Sequence, residues 1–230
     1  MADTKLKCVE IWHIKTPANT DLAQTLSTQL SDDEKIRANK LIKQSQRHTF
    51  ISSHAAMRRI LADKLDMSPD DIHYQLQEHG KPFIDNNMGL SFNLSHSHDY
   101  AILAVSAHCK LGVDIEKIQP HRDLIAISER FFSKDEFEWL KSLPEDLLFT
   151  EFYQLWCHKE AFLKATGQGI QAGLQHISLS QADLTHVKNV IDQNQQDWYL
   201  HRLNIEGNFR AALAVNCANV KIHSLDWQFS

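Results

Sequence analysis

Hydrophobic and polar residues alternate along several short stretches of this chain, and a period of two predicts β-strands. In residues 89–95, for example, Leu90, Phe92 and Leu94 are separated by serine and asparagine. The same pattern predicts further strands in residues 5–15, 70–84 (with a turn at 80–82), 100–107, 110–118, 176–180, 197–205, 209–217 and 222–230. Because turn residues separate these stretches, we expect a sheet-rich protein.

Other stretches carry apolar residues at helical spacing, and they have helix-end signals. The predicted helices span residues 30–67, 131–143 and 151–169. Ser31 with Glu34, and Ser133 with Glu136, have the spacing of a capping box, in which each side chain bonds the other residue's backbone N–H. Gly167 is placed to end the last helix, since glycine tolerates the left-handed conformation common there.

The order of these elements repeats loosely: a strand, helices, then strands, followed by the same series again. This order predicts an α+β fold made of two similar lobes in a pseudo-two-fold arrangement. We expect the lobes to be residues 1–107 and 108–230, with the active site in the cleft between them. A chain of 230 residues, 43% of them hydrophobic, is long enough for such a pair of cores.

Charge and targeting signals narrow the function. The formal net charge of −5 argues against nucleic acid or an anionic membrane as the main partner. We expect no secretory signal, because the first twenty residues lack a basic segment followed by an apolar one, and no apolar run is long enough to span a bilayer. The four cysteines are far apart in sequence and form no CxxC motif. We therefore expect a cytoplasmic protein with reduced thiols.

Two carboxylates on one strand are the first candidates for chemistry. Asp114 and Glu116 are two residues apart, so they lie on the same face of a strand. Such a pair suits Mg²⁺, which prefers carboxylate oxygens, although a solvated polar edge would give the same pattern. In the helix 151–169, Glu160 interrupts an apolar stripe and lies four residues before Lys164. These two residues fit either a surface ion pair or a third carboxylate with a phosphate-binding lysine.

Candidate anion-binding residues lie elsewhere in the chain. Ser95 and His96 follow a well-formed strand and can hydrogen-bond a phosphate. A Ser-His-Asp hydrolase is disfavoured, because neighbouring residues on an extended chain point in opposite directions and no GxSxG motif is present. Lys81 lies in a rigid turn before Pro82. Basic residues expected on one helical face also form a candidate anion patch: Lys40, Lys43 and Arg47.

Five segments taken in order resemble the 4′-phosphopantetheinyl transferases, in particular the long, two-lobed surfactin-synthetase-activating type. The segments are "GKPF", "FNLSHS", "GVDIEKI", "RFFSKDEF" and "FYQLWCHKEAFLKATGQG". The resemblance is strong from about residue 31 to 170 and fades in the last sixty or so. It departs from the family at one expected basic position, which holds Glu34, while Arg37 holds the next.

The resemblance implies an Mg²⁺-dependent enzyme that moves the phosphopantetheine arm of coenzyme A to a serine of an apo-carrier protein, releasing 3′,5′-ADP. It implies that Asp114, Glu116 and Glu160 hold Mg²⁺ and that Asp114, Glu160 and Lys164 are catalytic. Because a carboxylate must take the serine proton, our hypothesis is that Glu160 is the general base as well as a metal ligand. It further implies the coenzyme A contacts Arg47, Lys81, Pro82, Ser95, His96, Lys159 and Lys164, with His96 near the 3′-phosphate.

The same resemblance implies a partner, an acidic acyl or peptidyl carrier protein. We expect it to dock in the cleft near residues 130–137, where Arg130, Phe131, Phe132 and Lys134 offer basic and apolar contacts, unless the two phenylalanines belong to the core. The enzyme is expected to be a monomer, since one chain builds the whole cleft. Two alternatives remain open on sequence: another Mg²⁺-dependent nucleotide or phosphoryl transferase, and a non-catalytic module that binds coenzyme A or a carrier protein.

Overall fold

Two four-stranded sheets lie face to face between two long helices in the computed structural model of this chain. The structure describes residues 7–16, 20–85, 88–120, 122–168, 173–179, 188–191 and 195–229. Residues 107–110 form the interlobe linker. The elements before it are β1 (Cys8–Lys15), α1 (Thr20–Ser27), α2 (Asp32–Asn39), α3 (Gln44–Leu65), β2 (Gln75–Leu76), β3 (Pro82–Phe83), β4 (Ser91–Ser97) and β5 (Tyr100–Ser106). Those after it are β6 (Leu111–Lys117), α4 (Leu124–Phe131), α5 (Lys134–Lys141), α6 (Glu145–Thr166), β7 (Lys188–Ile191), β8 (Asp197–Leu203), β9 (Phe209–Val215) and β10 (Lys221–Asp226).

Each sheet belongs mainly to one half of the chain. The first sheet has the order β10-β1-β5-β4 and packs on α3, and the second has the order β6-β9-β8-β7 and packs on α6. The α+β prediction is therefore confirmed. The predicted boundary at residue 107 needs a correction, because β10, from the end of the chain, pairs in parallel with β1 in the first sheet. The segment 108–230 thus contributes to both lobes.

Local signals predicted helix ends better than helix continuity. Both capping boxes form, and Gly167 ends α6 with a φ of 72°. The single helix predicted for residues 30–67 is wrong, since the structure breaks it between α2 and α3, where Leu41 packs against the hydrophobic cluster of the first lobe. Lys40 and Lys43 are therefore the end residues of two different helices and do not share a helical face with Arg47.

The structure differs from the prediction in two of the predicted strands, and it contains two helices that the sequence patterns did not predict. The stretch 70–84 begins with a single 3₁₀ turn at Pro69–Asp71, and only β2 and β3 are extended. The stretch 176–180 begins at another 3₁₀ turn, Leu174–His176. Helices α1 and α4 have no counterpart among the predicted elements.

A buried glutamate organises the first lobe. Glu34, the third residue of α2, accepts the Ser31 backbone N–H in the capping box and also pairs with Arg58 of α3 at 3.2 Å. Arg58 reaches on to two carbonyl oxygens around the first 3₁₀ turn, those of Pro69 (2.7 Å) and Ile72 (3.0 Å). One buried guanidinium thus ties α2, α3 and the turn together.

The second lobe repeats this arrangement. Glu136, the third residue of α5, accepts the Ser133 backbone N–H and pairs with Lys159 of α6 at 2.6 Å. Lys159 donates to the carbonyl oxygens of Leu174 (2.8 Å) and Ile177 (2.5 Å), around the second 3₁₀ turn. Since α3 and α6 both have 22 residues and carry their buried cation at the same place, the lobes are alike in detail as well as in element order.

Cysteine placement differs from the prediction. Cys109 in the interlobe linker and Cys217 after β9 form a disulfide, with their Cα atoms 5.7 Å apart although they are 108 residues apart in sequence. Cys8 and Cys157 are free thiols. The expectation of four reduced, separate thiols is therefore wrong for this pair. Among the described helices, none combines the length and the apolar character that crossing a membrane would require.

Candidate active site

The two lobes are joined along β4 and β6. Strand β6 is an edge of its sheet, so half of its backbone N–H groups need partners from outside the sheet. Polar side chains at every second position of β4 supply them. The bonds join Val113 N to Asn93 Oδ1 (2.8 Å), Ile115 N to Ser95 Oγ (3.3 Å) and Lys117 N to Ser97 Oγ (3.1 Å). The alternating polar residues of β4 are therefore the seam between the lobes.

Gly112 lets β6 lie directly on α6. A Cβ atom at this position would collide with the backbone of Ala161 and Ala165, so only glycine allows the close approach. Two and four residues later, Asp114 and Glu116 face the same side of the strand. The strand therefore presents both carboxylates to α6, on the side where Glu160 and Lys164 lie.

Lys164 of α6 meets the first of these carboxylates. Its Nζ lies 2.6 Å from Asp114 Oδ1 and 2.9 Å from Ser95 Oγ. Ser95 also donates to Asp114 Oδ1 (2.9 Å) while accepting the Ile115 N–H. The hydroxyl of Ser95 is thus fully used in positioning Asp114. Burial works against the charge of Lys164, but the Asp114 carboxylate prevails and holds the pKa of Lys164 above its usual value.

Two buried carboxylate oxygens in this site have no hydrogen-bond partner among the residues that the structure describes. They are Asp114 Oδ2 and Glu160 Oε1, on side chains that are each only 4% exposed. Burial, together with the charge of Asp114, raises the pKa of Glu160 to about 7 and also raises the pKa of Glu116. Glu116 is stabilised in turn by a hydrogen bond from Ser97 Oγ to its Oε2 (2.8 Å). The site therefore holds more negative charge than Lys164 alone balances.

Three cavities lie along the cleft, and neighbouring cavities share wall residues. The first, of about 690 Å³, is lined by Lys81, Pro82, Asn93, Glu160, Lys164 and Gly167. The second, of about 470 Å³, includes Glu34, Arg37, Lys40, His54, Pro82 and His96. The third, of about 870 Å³, includes Lys43, His48, His96, Glu116, Lys117 and Arg122. His96 stands between the second and third cavities, so the cleft is long enough for an extended ligand.

Most of the predicted coenzyme A contacts line these cavities. Lys81 donates to the carbonyl oxygens of Leu111 (2.8 Å) and Ala165 (3.4 Å), so it bridges β6 and α6. Burial and the nearby Lys110 lower the pKa of Lys81 to about 8. Pro82 lines both the first and the second cavity.

Lys159 and Arg47 do not join the site. The Lys159 side chain is fully buried, and its ammonium donates to Glu136 and two carbonyl oxygens of the second lobe. It has no N–H left for a phosphate, because an ammonium has three donors. Arg47 lines none of the three cavities and donates to the Leu41 carbonyl (2.9 Å). Both predicted coenzyme A contacts are therefore corrected.

The predicted carrier-docking segment also differs from expectation. Phe132 is 6% exposed and packs against Phe152 and Trp156 in the core of the second lobe. Phe131 is half-buried with its ring edge-on to Trp156. Of the four predicted contacts, Arg130 and Lys134 are exposed, so these contacts offer charge without an exposed aromatic anchor.

The sequence reasoning missed residues that the structure places at the site. Asn93 and Ser97 belong to the seam, and His54 lies in the second cavity, where its Nδ1 is 2.9 Å from Glu34 Oε1. The period-two run of polar residues in β4 was the available signal for the first two. No local signal marks His54, because Glu34 lies twenty residues away in sequence.

Comparison with known proteins agrees with this architecture. A model of the 4′-phosphopantetheinyl transferase superfamily matches residues 110–214, and one described as 4′-phosphopantetheinyl transferase, N-terminal, matches residues 12–108. The 4′-phosphopantetheinyl transferase HetI of Nostoc sp. is 35% identical over 210 residues, which cover 90% of this chain and 87% of the relative. The 4′-phosphopantetheinyl transferase Sfp of Bacillus subtilis is 24% identical over 201 residues, covering 87% and 88% of the two chains.

Proposed function

Since this chain belongs to the 4′-phosphopantetheinyl transferase superfamily and acts on coenzyme A and carrier proteins, we propose that its reaction takes place at the seam of β4, β6 and α6. The unpartnered buried oxygens of Asp114 and Glu160 carry this proposal. Buried carboxylate oxygens are costly unless they meet a cation or a donor. A site that keeps two of them is suited to a ligand that brings positive charge.

The proposed metal is Mg²⁺, and its proposed ligands are Asp114, Glu116 and Glu160. No three His, Cys, Asp or Glu side chains within the described ranges are grouped closely enough to hold a metal as they stand. The fit is chemical: three carboxylates in one cleft, with two free oxygens, match the oxygen preference of this cation. When bound, Mg²⁺ supplies positive charge that neutralises and orients a diphosphate.

The cavities suggest how coenzyme A would lie. We assign its diphosphate to Lys164 and its adenosine to the wall formed by Lys81 and Pro82. Because all three residues line the first cavity, coenzyme A would lie along that cavity. The 3′-phosphate is assigned to the second cavity, where His96 lies with Arg37 and Lys40. In this assignment Arg37 and Lys40 replace Arg47, and Ser95 positions Asp114 and Lys164 rather than contacting phosphate.

The chemistry follows from these positions. The carrier serine oxygen forms a bond to the β-phosphorus of coenzyme A, the bond from that phosphorus to the bridging oxygen breaks, and 3′,5′-ADP leaves with that oxygen. Glu160 is proposed to take the serine proton as well as to hold the metal, and the two roles require its two different carboxylate oxygens. Lys164 is proposed to stabilise the negative charge that develops on the phosphate oxygens.

An intact-mass assay tests the reaction. The enzyme is incubated with coenzyme A, Mg²⁺ and an apo-acyl carrier protein, and the carrier should gain one phosphopantetheine group. EDTA or Asp114→Asn should abolish the gain, while Asp123→Asn, an exposed carboxylate at the start of α4, should keep it. If no type of apo-carrier protein gains the group, the proposed transfer is contradicted. Full activity in EDTA would contradict the metal requirement.

The base assignment needs its own variant. Glu160→Gln keeps the size of the side chain and removes its ability to accept a proton. We expect it to lose turnover even at saturating coenzyme A and Mg²⁺. Normal binding of both together with full turnover would remove Glu160 from the base role.

Two finer features complete the proposal. We expect a monomer, because both walls of the cleft come from one chain. A cytoplasmic location also stays a prediction, and the Cys109–Cys217 disulfide is the observation that weighs against it, since disulfides are rare in reducing compartments.

A further inference from the structure

A basic segment stands at the rim of the cleft in the first lobe. Residues 35–47, hereafter the basic rim, contain five cations and no aspartate or glutamate, in a chain whose formal net charge is −5. The cations are Lys35, Arg37, Lys40, Lys43 and Arg47. Among the residues the structure describes, Lys40 and Lys43 form no ion pair, and both are exposed. Since Lys40 is assigned to the 3′-phosphate above, Lys43 is the exposed rim cation that stays available to a protein partner.

An exposed isoleucine lies in the middle of this charge. Ile42 is 95% exposed, the most exposed of the large hydrophobic side chains described. Its loop is held in place, because Leu41 packs on the first-lobe cluster and its carbonyl accepts a hydrogen bond from Arg47. Ile42 is thus presented on a fixed loop between Lys40 and Lys43 rather than on a loose chain end.

The basic rim is continuous with the reaction cleft. Lys40 and Leu41 line the second cavity, and Lys43 lines the third, together with residues 44–46. Ile42 therefore lies, along the chain, between residues of the second and the third cavity. The third cavity also contains Glu116, one of the proposed metal ligands, so a protein that presents a serine to the cleft through this cavity would lie against the rim.

We propose that the basic rim is a docking surface for the acceptor carrier protein, with Ile42 as its apolar anchor and Lys43 pairing with acidic side chains. Resting on the function proposed above, this assigns docking to the first lobe. Charge complementarity selects an acidic partner, since a rim with free cations favours negative charge and repels a basic surface. The face around Phe132 of the second lobe lacks a matching anchor because that ring is buried.

Steady-state kinetics with recombinant apo-acyl carrier protein and an apo-peptidyl carrier domain test this docking surface. Ile42→Asp, and separately Lys43→Glu, should lower kcat/KM for the carrier by about tenfold or more, as expected for an interface anchor. Ile42→Asp is the decisive variant, because Ile42 lines none of the three cavities, and its KM for coenzyme A should stay at the wild-type value. Ile42→Ser serves as a milder variant if the aspartate disturbs folding.

Matched controls separate the possible outcomes. Leu147→Asp changes another exposed apolar residue, 46% exposed and outside all three cavities, and should leave carrier kinetics unchanged. If Ile42→Asp behaves like Leu147→Asp while Arg130→Glu and Lys134→Glu impair the carrier, docking belongs to the second lobe and the proposal is overturned. A raised KM for coenzyme A in Ile42→Asp would also overturn it. If the wild-type enzyme modifies neither carrier, the proposed function fails, and this docking surface with it.

Discussion

Replacing Lys159 by methionine should destabilise the fold while leaving coenzyme A binding intact. Methionine preserves much of the side-chain volume but removes the ammonium that Glu136 pairs with at 2.6 Å. It also leaves the carbonyl oxygens of Leu174 and Ile177 without their donor. Removing one partner of a buried ion pair costs about 3–5 kcal/mol. Since Glu136 keeps its bonds from two backbone N–H groups, we expect the lower end, about 3 kcal/mol.

Urea denaturation and steady-state kinetics together measure this effect. The free energy of unfolding should fall by that amount, and KM for coenzyme A, measured where the variant is folded, should match the wild type. Lys159→Arg keeps the charge and should lose less stability. Arg58→Met, at the corresponding place in the first lobe, should show a loss of similar size. A normal urea midpoint with a KM for coenzyme A raised about tenfold would refute the reasoning, because it would place Lys159 on the substrate.

Three further predictions concern the contact between β6 and α6, the buried ammonium of Lys81 and the disulfide. Gly112→Ala should abolish transfer and lower the melting temperature, because the new Cβ collides with the Ala161 backbone and pushes β6 off α6; a variant with wild-type activity would contradict that contact. Lys81, with a folded pKa of about 8 against 10.5 unfolded, binds fewer protons in the folded state between these values, so stability should rise with pH across that window. Urea titrations of Lys81→Met should lack about 1–3 kcal/mol of this rise, and identical pH profiles would exclude the shift. Reducing the Cys109–Cys217 disulfide, or replacing Cys217 by serine, should lower the free energy of unfolding by about 2–4 kcal/mol. If thiol counting finds Cys109 free in the native protein, this prediction is contradicted.

Sequence patterns went furthest where the deciding interactions are local. Both capping boxes and the end of α6 at Gly167 depend on contacts within four residues, and all three are confirmed. The period of two also put Asp114 and Glu116 on one face of β6. Their roles as metal ligands stay a prediction, as do the assignments to His96 and Lys164. The polar alternation of β4 was visible in the sequence, but its meaning depended on which strand it would face.

The chain by itself determined most of the strands, the capped helix ends, the family and the residue types available for chemistry, because short-range periodicity and hydrogen bonding are encoded in neighbouring residues. Only the tertiary structure decided which lysine reaches the cleft. Lys159 and Lys164 lie five residues apart on α6, yet one is held by Glu136 in the core and the other by Asp114 in the cleft. The same holds for the pairing of β10 with β1 and of Cys109 with Cys217. Each joins positions more than a hundred residues apart, and no local pattern encodes which distant groups the packed lobes bring together.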